Sequence, residues 1–281
     1  MTPPAHETIT SPANPRVRAA AALREADARR ETGLTLVDGR RELARAAAAG
    51  AEVVEVFADA ERIGAGDAAI MAALAGFADR GVRVAALAPR AFERVAFGSR
   101  NEGLVGVVRF TARPLTAAAI PPGRPVLLVE GVEKPGNLGA ILRTADAAGI
   151  AGVVACDPRT DPANPAAIRA SLGTVFTVPL AVTTTAEAIL WCAARGRRVV
   201  AAMPGGRLLW HEAALAGDTA ILLGSEAHGI SPAWQSAAAA GTLSLETVRL
   251  PMRGAADSLN VAATAAVLAY EFLRQECHHD R

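Results

Sequence analysis

Three short stretches carry residue types at spacings that could do chemistry. The first is Glu133-Lys-Pro-Gly-Asn-Leu-Gly-Ala-Ile-Leu-Arg-Thr144. It follows an apolar run and opens a helical pattern. Gly136 and Gly139 let a backbone or ligand come close, and Asn137 can cap the helix. Arg143 lies six residues beyond Asn137. That is nearly two helical turns, so a long guanidinium could swing back to the helix mouth and meet an anion there. The plain alternative is a capped helix with a surface arginine.

The second stretch is Leu222-Leu-Gly-Ser-Glu-Ala-His-Gly229. A strand runs into a glycine-bracketed loop, and Glu226 could accept hydrogen bonds from a ligand or orient another side chain. Alone, it reads equally as a strand-to-helix turn, with Ile230-Ser-Pro232 starting the next helix. His228 reads as a loop histidine, not a catalytic base. The third stretch is Leu250-Pro-Met-Arg-Gly-Ala-Ala-Asp-Ser-Leu-Asn-Val261. A short strand breaks at Pro251, and the last helix is expected to start at Ser258. Ser258 and Asn260 then stand beside free N–H donors, where one can cap and the other can hold a ligand. No stretch matches the GxGxxG fingerprint or a Walker loop, which argues against dinucleotide or nucleoside triphosphate binding.

The elements needed to bring these loops together are strands alternating with helices. Apolar strands are expected at 126–130, 152–156, 175–180, 198–202, 220–224 and 248–250. Helices are expected at 137–148, 186–195 and 258–275. Continuously apolar strands alternating with helices argue for a parallel sheet covered on both faces. Ligands of such sheets bind beyond the carboxyl ends of the strands, where all three loops would converge. The first part repeats the alternation. Helices are expected at 15–30, 39–49, 67–79 and 89–96, and strands at 34–38, 53–57, 82–87 and 104–110, giving a small α/β sandwich. A cluster of prolines at 114–124 reads as a linker, dividing the chain into 1–113 and 125–281.

Composition bounds the partners. The chain has 281 residues, 51% hydrophobic and 20% charged, enough for buried cores. Lys+Arg is 29 against 28 Asp+Glu, which excludes a strongly basic or acidic protein but allows a local basic face. Lys134 is the only lysine. Residues 1–113 hold 16 cations and 14 anions, so the first part carries a basic patch at most. Cys156, Cys192 and Cys277 have neither disulfide nor metal-ligand spacing, and a reducing cytoplasm is expected. No metal site is expected, the Cys277-His-His-Asp280 tail included. No apolar run reaches ~20 residues, so no membrane span is expected. Residues 1–7 read as a short disordered lead and not a signal peptide.

Asn137-Leu-Gly-Ala-Ile-Leu-Arg143, Gly224-Ser-Glu-Ala-His-Gly229 and Leu250-Pro-Met with Ser258-Leu-Asn260 resemble, in order and spacing, the three motifs of the SpoU/TrmH family. These are RNA ribose 2′-O-methyltransferases of the SPOUT superfamily. The first part is similar to the family's small, ribosomal-protein-like substrate-binding domain. It matches at Asn14-Pro15-Arg16-Val17, Thr35-Leu-Val-Asp-Gly39 and Glu102-Gly-Leu-Val105.

The resemblance implies an α/β protein whose C-terminal parallel sheet is tied in a trefoil knot. It also implies S-adenosyl-L-methionine as cofactor, a homodimer, and an RNA substrate, ribosomal more than transfer RNA. The implied catalytic residues are Asn137, Arg143, Glu226, Ser258 and Asn260. The implied cofactor contacts are Met203, Pro204, Gly205, Gly224, Glu226, Gly229, Leu250, Met252, Ser258, Leu259 and Asn260. Arg16, Arg18, Arg40, Arg41 and Arg143 are expected on RNA, with Arg24, Arg29, Arg30 and Arg45 nearby. Arg143 is expected to grip a phosphate and stabilise the developing alkoxide, since a guanidinium is a poor base at neutral pH. Asn137 and Asn260 are expected to orient Arg143 and the ribose. Neither DNA nor a membrane is an expected partner. The alternatives are a non-catalytic RNA-binding protein that keeps the fold, or an NAD-type oxidoreductase. The intact polar residues argue against the first, and the absent GxGxxG against the second.

Overall fold

The computed structural model describes residues 7–97 and 102–279. Residues 1–6 of the expected lead and Asp280 of the histidine tail lie outside them. By contact the chain forms two units. One runs to Thr111 and also takes in Ala163–Thr177; the other holds Ala112–Pro162 and Val178–Arg281.

The first unit contains β1 (Glu7–Ile9), α1 (Pro15–Ala22), α2 (Ala26–Thr32), β2 (Leu34–Asp38), α3 (Arg40–Ala48), β3 (Val53–Asp59), α4 (Ala60–Gly64), α5 (Ala68–Ala78), β4 (Arg83–Leu87), α6 (Pro89–Val95) and β5 (Leu104–Arg109). Its sheet order is β1-β4-β3-β5-β2, with β5 antiparallel to both β3 and β2. The expected helix over 15–30 is two helices. Buried Arg29 of α2 explains the break: its guanidinium donates to the Leu23 and Arg24 carbonyls at 2.9 and 2.6 Å, closing the end of α1. Val17, Leu36, Phe57, Leu87, Phe92 and Val105 fill the core.

In chain order α7 (Pro135–Ala148) belongs to the second unit and α8 (Pro165–Ala170) to the first. The segment carrying α8, which the division at 114–124 assigns to the second part, packs on β2 and α3. Thr35 Oγ1 donates to the Ala163 carbonyl at 2.5 Å, and Arg45 Nη1 to the Leu172 carbonyl at 2.8 Å. Arg169 lies 3.2 Å from the buried Asp38 carboxylate. Burial pushes the Asp38 carboxyl up to about 6, against the pull of the Phe97 N–H and Arg169 and helped by Glu102 and Glu42. The strand expected over 175–180 begins only at Leu180; Thr174–Phe176 is a 3-10 turn instead.

The second unit holds β6 (Arg113–Pro114), β7 (Val126–Glu130), α7, β8 (Val153–Cys156), β9 (Leu180–Thr183), α9 (Thr185–Ala194), β10 (Arg198–Ala202), β11 (Leu208–Leu209), β12 (Thr219–Leu223), α10 (Pro232–Ala239), β13 (Leu245–Arg249) and α11 (Val261–His279). Its strands run in the order β11-β13-β10-β12-β7-β8-β9-β6, and every paired neighbour is parallel. The 114–124 stretch is packed onto this unit. Leu115 and Ile120 are buried, and the buried Arg197 guanidinium donates to the Arg124 and Pro121 carbonyls. The chain leaves β7 toward β8 and β9, then crosses to the other side of β7 at β10, and β12 later fills the place between β10 and β7. The strand order therefore reverses between β7 and β12, a topological switch point. No helix among the described residues is long and apolar enough to cross a membrane.

Candidate active site

Local sequence fixes each of the three loops. Pro135 starts α7, and Gly149 ends it in the left-handed conformation, φ 67°. Asn137 therefore sits in the first turn, just past the carboxyl end of β7. Glu226 follows the neighbouring strand β12. At its near end Gly224 is required: a Cβ there would lie 2.1 Å from the Gly229 carbonyl carbon. The loop closes through paired hydrogen bonds between the Ser225 and Gly229 backbones, each 3.0 Å. Its far end is held by Glu130, the last residue of β7. This buried carboxylate accepts from Ser231 N–H at 2.8 Å, Trp234 Nε1 at 3.1 Å and Thr185 Oγ1 at 2.8 Å. Sequence reasoning missed Glu130. Its signal was a charged residue ending an otherwise apolar strand.

The third loop enters α11 later than expected. The helix begins at Val261, and Asn260 is the capping residue, accepting from Ala262 N–H at 2.9 Å. Ser258 lies outside the helix and exposed, because one cap suffices and Asn260 supplies it. Since α11 packs on α7, Asn260 is carried to Asn137.

The result is one hydrogen-bonded cluster. Asn137 Nδ2 donates to Glu226 Oε1 at 2.7 Å, and Asn260 Nδ2 donates to the same oxygen at 2.7 Å. Asn260 Nδ2 also lies 3.2 Å from Asn137 Oδ1. Lys134 Nζ pairs with Glu226 Oε2 at 3.1 Å. Glu226 thus gathers three donors, and Lys134 was not anticipated. Arg143 is exposed, and among the described residues its side chain makes no hydrogen bond or ion pair, so neither asparagine orients it.

Beside the cluster, a cavity opens at the carboxyl ends of β10, β12 and β13. Of the eleven residues expected on the cofactor, Met203, Pro204, Gly224, Glu226, Gly229, Leu250, Met252, Ser258 and Leu259 line it; Gly205 and Asn260 do not. Ala202, Leu223, Ser225, Asp257, Val261 and Thr264 complete the lining and were not singled out by sequence. The wall therefore carries two carboxylates, Glu226 and Asp257, and no lysine, arginine or histidine. None of the amides from Met252 to Leu259 donates to another backbone group among the described residues. Burial pushes the Cys192 thiol up to about 12 and Cys156 higher still, so neither supplies a thiolate at neutral pH.

On the first unit, Arg16 is held by Glu7 at 2.5 Å and by the buried Glu55, which its Nε meets at 2.8 Å. Arg29 is buried and cannot reach a surface ligand. Arg18 and Arg41 are exposed, and Arg40 is half-buried.

Residues 124–270 match the model of the SpoU rRNA methylase family, and residues 14–106 match an MRM3-like substrate-binding domain. The chain is 32% identical over 187 residues to a 23S rRNA (uridine(2479)-2′-O)-methyltransferase of Streptomyces viridochromogenes, covering 63% of each chain. It is 31% identical over 210 residues to a 23S rRNA (adenosine(1067)-2′-O)-methyltransferase of Streptomyces laurentii, covering 74% of this chain and 76% of that one. The crystal structure of an AdoMet-bound rRNA methyltransferase from Sinorhizobium meliloti superposes with a TM-score of 0.81 at 26% identity, covering 96% of this chain and 98% of that chain. With more than half of its length matched by the family model, and with residues of the second and third motifs lining one cavity, this chain belongs to the SpoU rRNA methylase family.

Proposed function

We propose that the protein transfers a methyl group from S-adenosyl-L-methionine to a ribose 2′-hydroxyl of structured RNA, ribosomal RNA before transfer RNA. The observation that carries this reading is the charge of the cavity wall. Two carboxylates and no cation in the wall suit a cationic methyl donor better than the anionic pyrophosphate of NAD. Met203, Leu223, Leu250, Leu259 and Val261 offer apolar surface for a flat base, and the unspent amides of 252–259 offer donors. The residues present fit the cofactor. The relatives' names favour 23S rRNA as the substrate. DNA is disfavoured because it lacks the accepting 2′-hydroxyl.

When bound, the cofactor supplies an electrophilic methyl on a sulfonium sulfur. Met203, Gly224, Leu250 and Leu259 hold it, with Glu226 and Ser258 shaping the loop around it. The Asn137–Glu226–Asn260 cluster fixes the floor on which the ribose rests, so its contribution is positioning. Arg143, unengaged in the protein, takes the phosphate beside the target ribose and stabilises the negative charge developing on the 2′-oxygen. The hydroxyl proton leaves to solvent. Arg18, Arg40 and Arg41 bind the RNA backbone.

The same reading includes the trefoil threading of the C-terminal sheet, residence in the cytoplasm with the ribosome, and a homodimer. Supporting the dimer, Tyr270 of α11 is 52% exposed, and every residue of the 251–260 segment except the half-buried Met252 is exposed, the apolar Leu259 included. Calorimetric titration with S-adenosylmethionine beside NAD, followed by labelled methyl transfer to 23S rRNA fragments and tRNA, tests the function. Binding of the first ligand alone and 2′-O-methylation of an rRNA fragment are expected. NAD binding, or no methyl transfer to any RNA despite donor binding, would overturn it.

A further inference from the structure

We infer that Asp257 lets the cavity sense the charge on sulfur, favouring the sulfonium donor over the neutral thioether product and so limiting product inhibition. This inference rests on the methyl-donor reading above. The cavity wall has two carboxylates, and one is already committed. Glu226 accepts from Lys134, Asn137 and Asn260, and its charge is balanced by the Lys134 ammonium. Asp257 lines the same cavity, and among the described residues it has no ion-pair or hydrogen-bond partner. No cation of the wall offsets it. Arg253 is exposed on the same loop but is not part of the wall.

Transfer changes the ligand's charge at one atom. The sulfur–methyl bond breaks and its electron pair returns to sulfur, the oxygen–methyl bond forms, and the hydroxyl proton goes to solvent. The sulfonium becomes a neutral thioether. The ligand's amino and carboxylate groups are the same before and after. Any contact with them cancels in the ratio of the two affinities, and only a group that feels the sulfur alters that ratio. An unpaired carboxylate on the wall attracts the donor and has no such hold on the product. Asp257 is exposed, so the effect is that of a screened pair, roughly two- to fivefold in the ratio.

The test is calorimetric titration of the full chain and of Asp257→Asn with S-adenosylmethionine, S-adenosylhomocysteine and sinefungin, which carries an amine in place of the methylated sulfur. Asp257→Asn is expected to weaken the donor and sinefungin about two- to fivefold and to leave the thioether nearly unchanged. Asp257→Glu is expected to keep the wild-type preference. Raising salt from about 0.05 to about 0.5 M should shrink the preference in wild type and not in Asp257→Asn. Equal weakening of donor and product, or no change in either, overturns the inference while leaving the methyl-donor reading intact. A wild-type chain that binds none of the three ligands, even with RNA, overturns the methyl-donor reading itself.

Discussion

Asn260 and Glu226 are 34 residues apart in the chain, yet Asn260 Nδ2 sits 2.7 Å from Glu226 Oε1. The orientation of that amide is forced. Ala262 N–H can only donate, so the oxygen of Asn260 must face it and the nitrogen must face Glu226. The residue that starts α11 is therefore also the residue that ties α11 to the loop after β12. A helix cap and a site contact share one side chain.

That double use can be separated by substitution. Asn260→Ala removes both the cap and the donor to Glu226. It should cost about 1 kcal/mol of stability and most of the methyl transfer. Asn260→Asp keeps an acceptor for Ala262 N–H but sets a second carboxylate against Glu226. Its melting temperature should lie closer to wild type, with activity lost as fully as in the alanine variant. Thermal unfolding and methyl transfer, measured side by side, decide this. Equal stability loss in both variants would mean that the cap is not what Asn260 contributes to the fold.

Arg143 is the opposite case, an exposed side chain that supports nothing in the protein itself. Arg143→Ala should leave stability within about 0.5 kcal/mol of wild type and leave donor affinity unchanged. Methyl transfer should fall by at least about a hundredfold, the scale expected when a charge-stabilising donor is removed. Full activity in that variant would remove Arg143 from the reaction.

Much of this was legible in the sequence because the relevant forces are local. Continuous apolar runs marked β7, β8, β10 and β12, and α7, expected over 137–148 with Asn137 as its cap, begins two residues earlier at Pro135. The three loops followed from strand ends. What escaped depends on distant partners. Glu7–Ile9 is too short and polar to read as a strand until β4 offers it an edge. Val175 looked like strand, but the backbone turns at Thr174–Phe176 within a segment anchored to β2 and α3. The helix α8 had its signal in Asn164-Pro165, whose asparagine caps Ala166 N–H at 2.9 Å. Glu130 and Asp257 could not be ranked, because their importance lies in what converges on them and in what does not.

Asp38 makes the stability of the first unit depend on pH. Its carboxyl is raised from 3.8 to about 6, chiefly by burial. A raised carboxyl stabilises the fold below its unfolded value, and that contribution is lost as pH rises through 6. The loss between about pH 4 and pH 7 is on the order of 3 kcal/mol. Asp38→Asn should lack this component. Denaturant midpoints at pH 5 and pH 7.5 check it: the stability of wild type relative to Asp38→Asn should fall with rising pH. A difference independent of pH would mean that Asp38 titrates at its ordinary value.

The arginines of the first unit should divide into structural and RNA-facing groups. Arg16 is spoken for by Glu7 and by the buried Glu55, so Arg16→Ala should destabilise the protein by about 1–3 kcal/mol, the cost of leaving a buried carboxylate without its donor. Its effect on RNA affinity should be secondary. Arg18 is exposed, and Arg41 is 48% exposed with only a 4.0 Å approach to Glu42. Both are free to reach a phosphate. Each alanine substitution there should leave unfolding unchanged and reduce the steepness of the log-affinity against log-salt plot by about one phosphate contact. Binding of a 23S rRNA fragment over a series of salt concentrations measures this directly. If the slopes of Arg18→Ala and Arg41→Ala match wild type, the RNA path crosses a different face of the unit, and the arginines at its edge are solvated charges only.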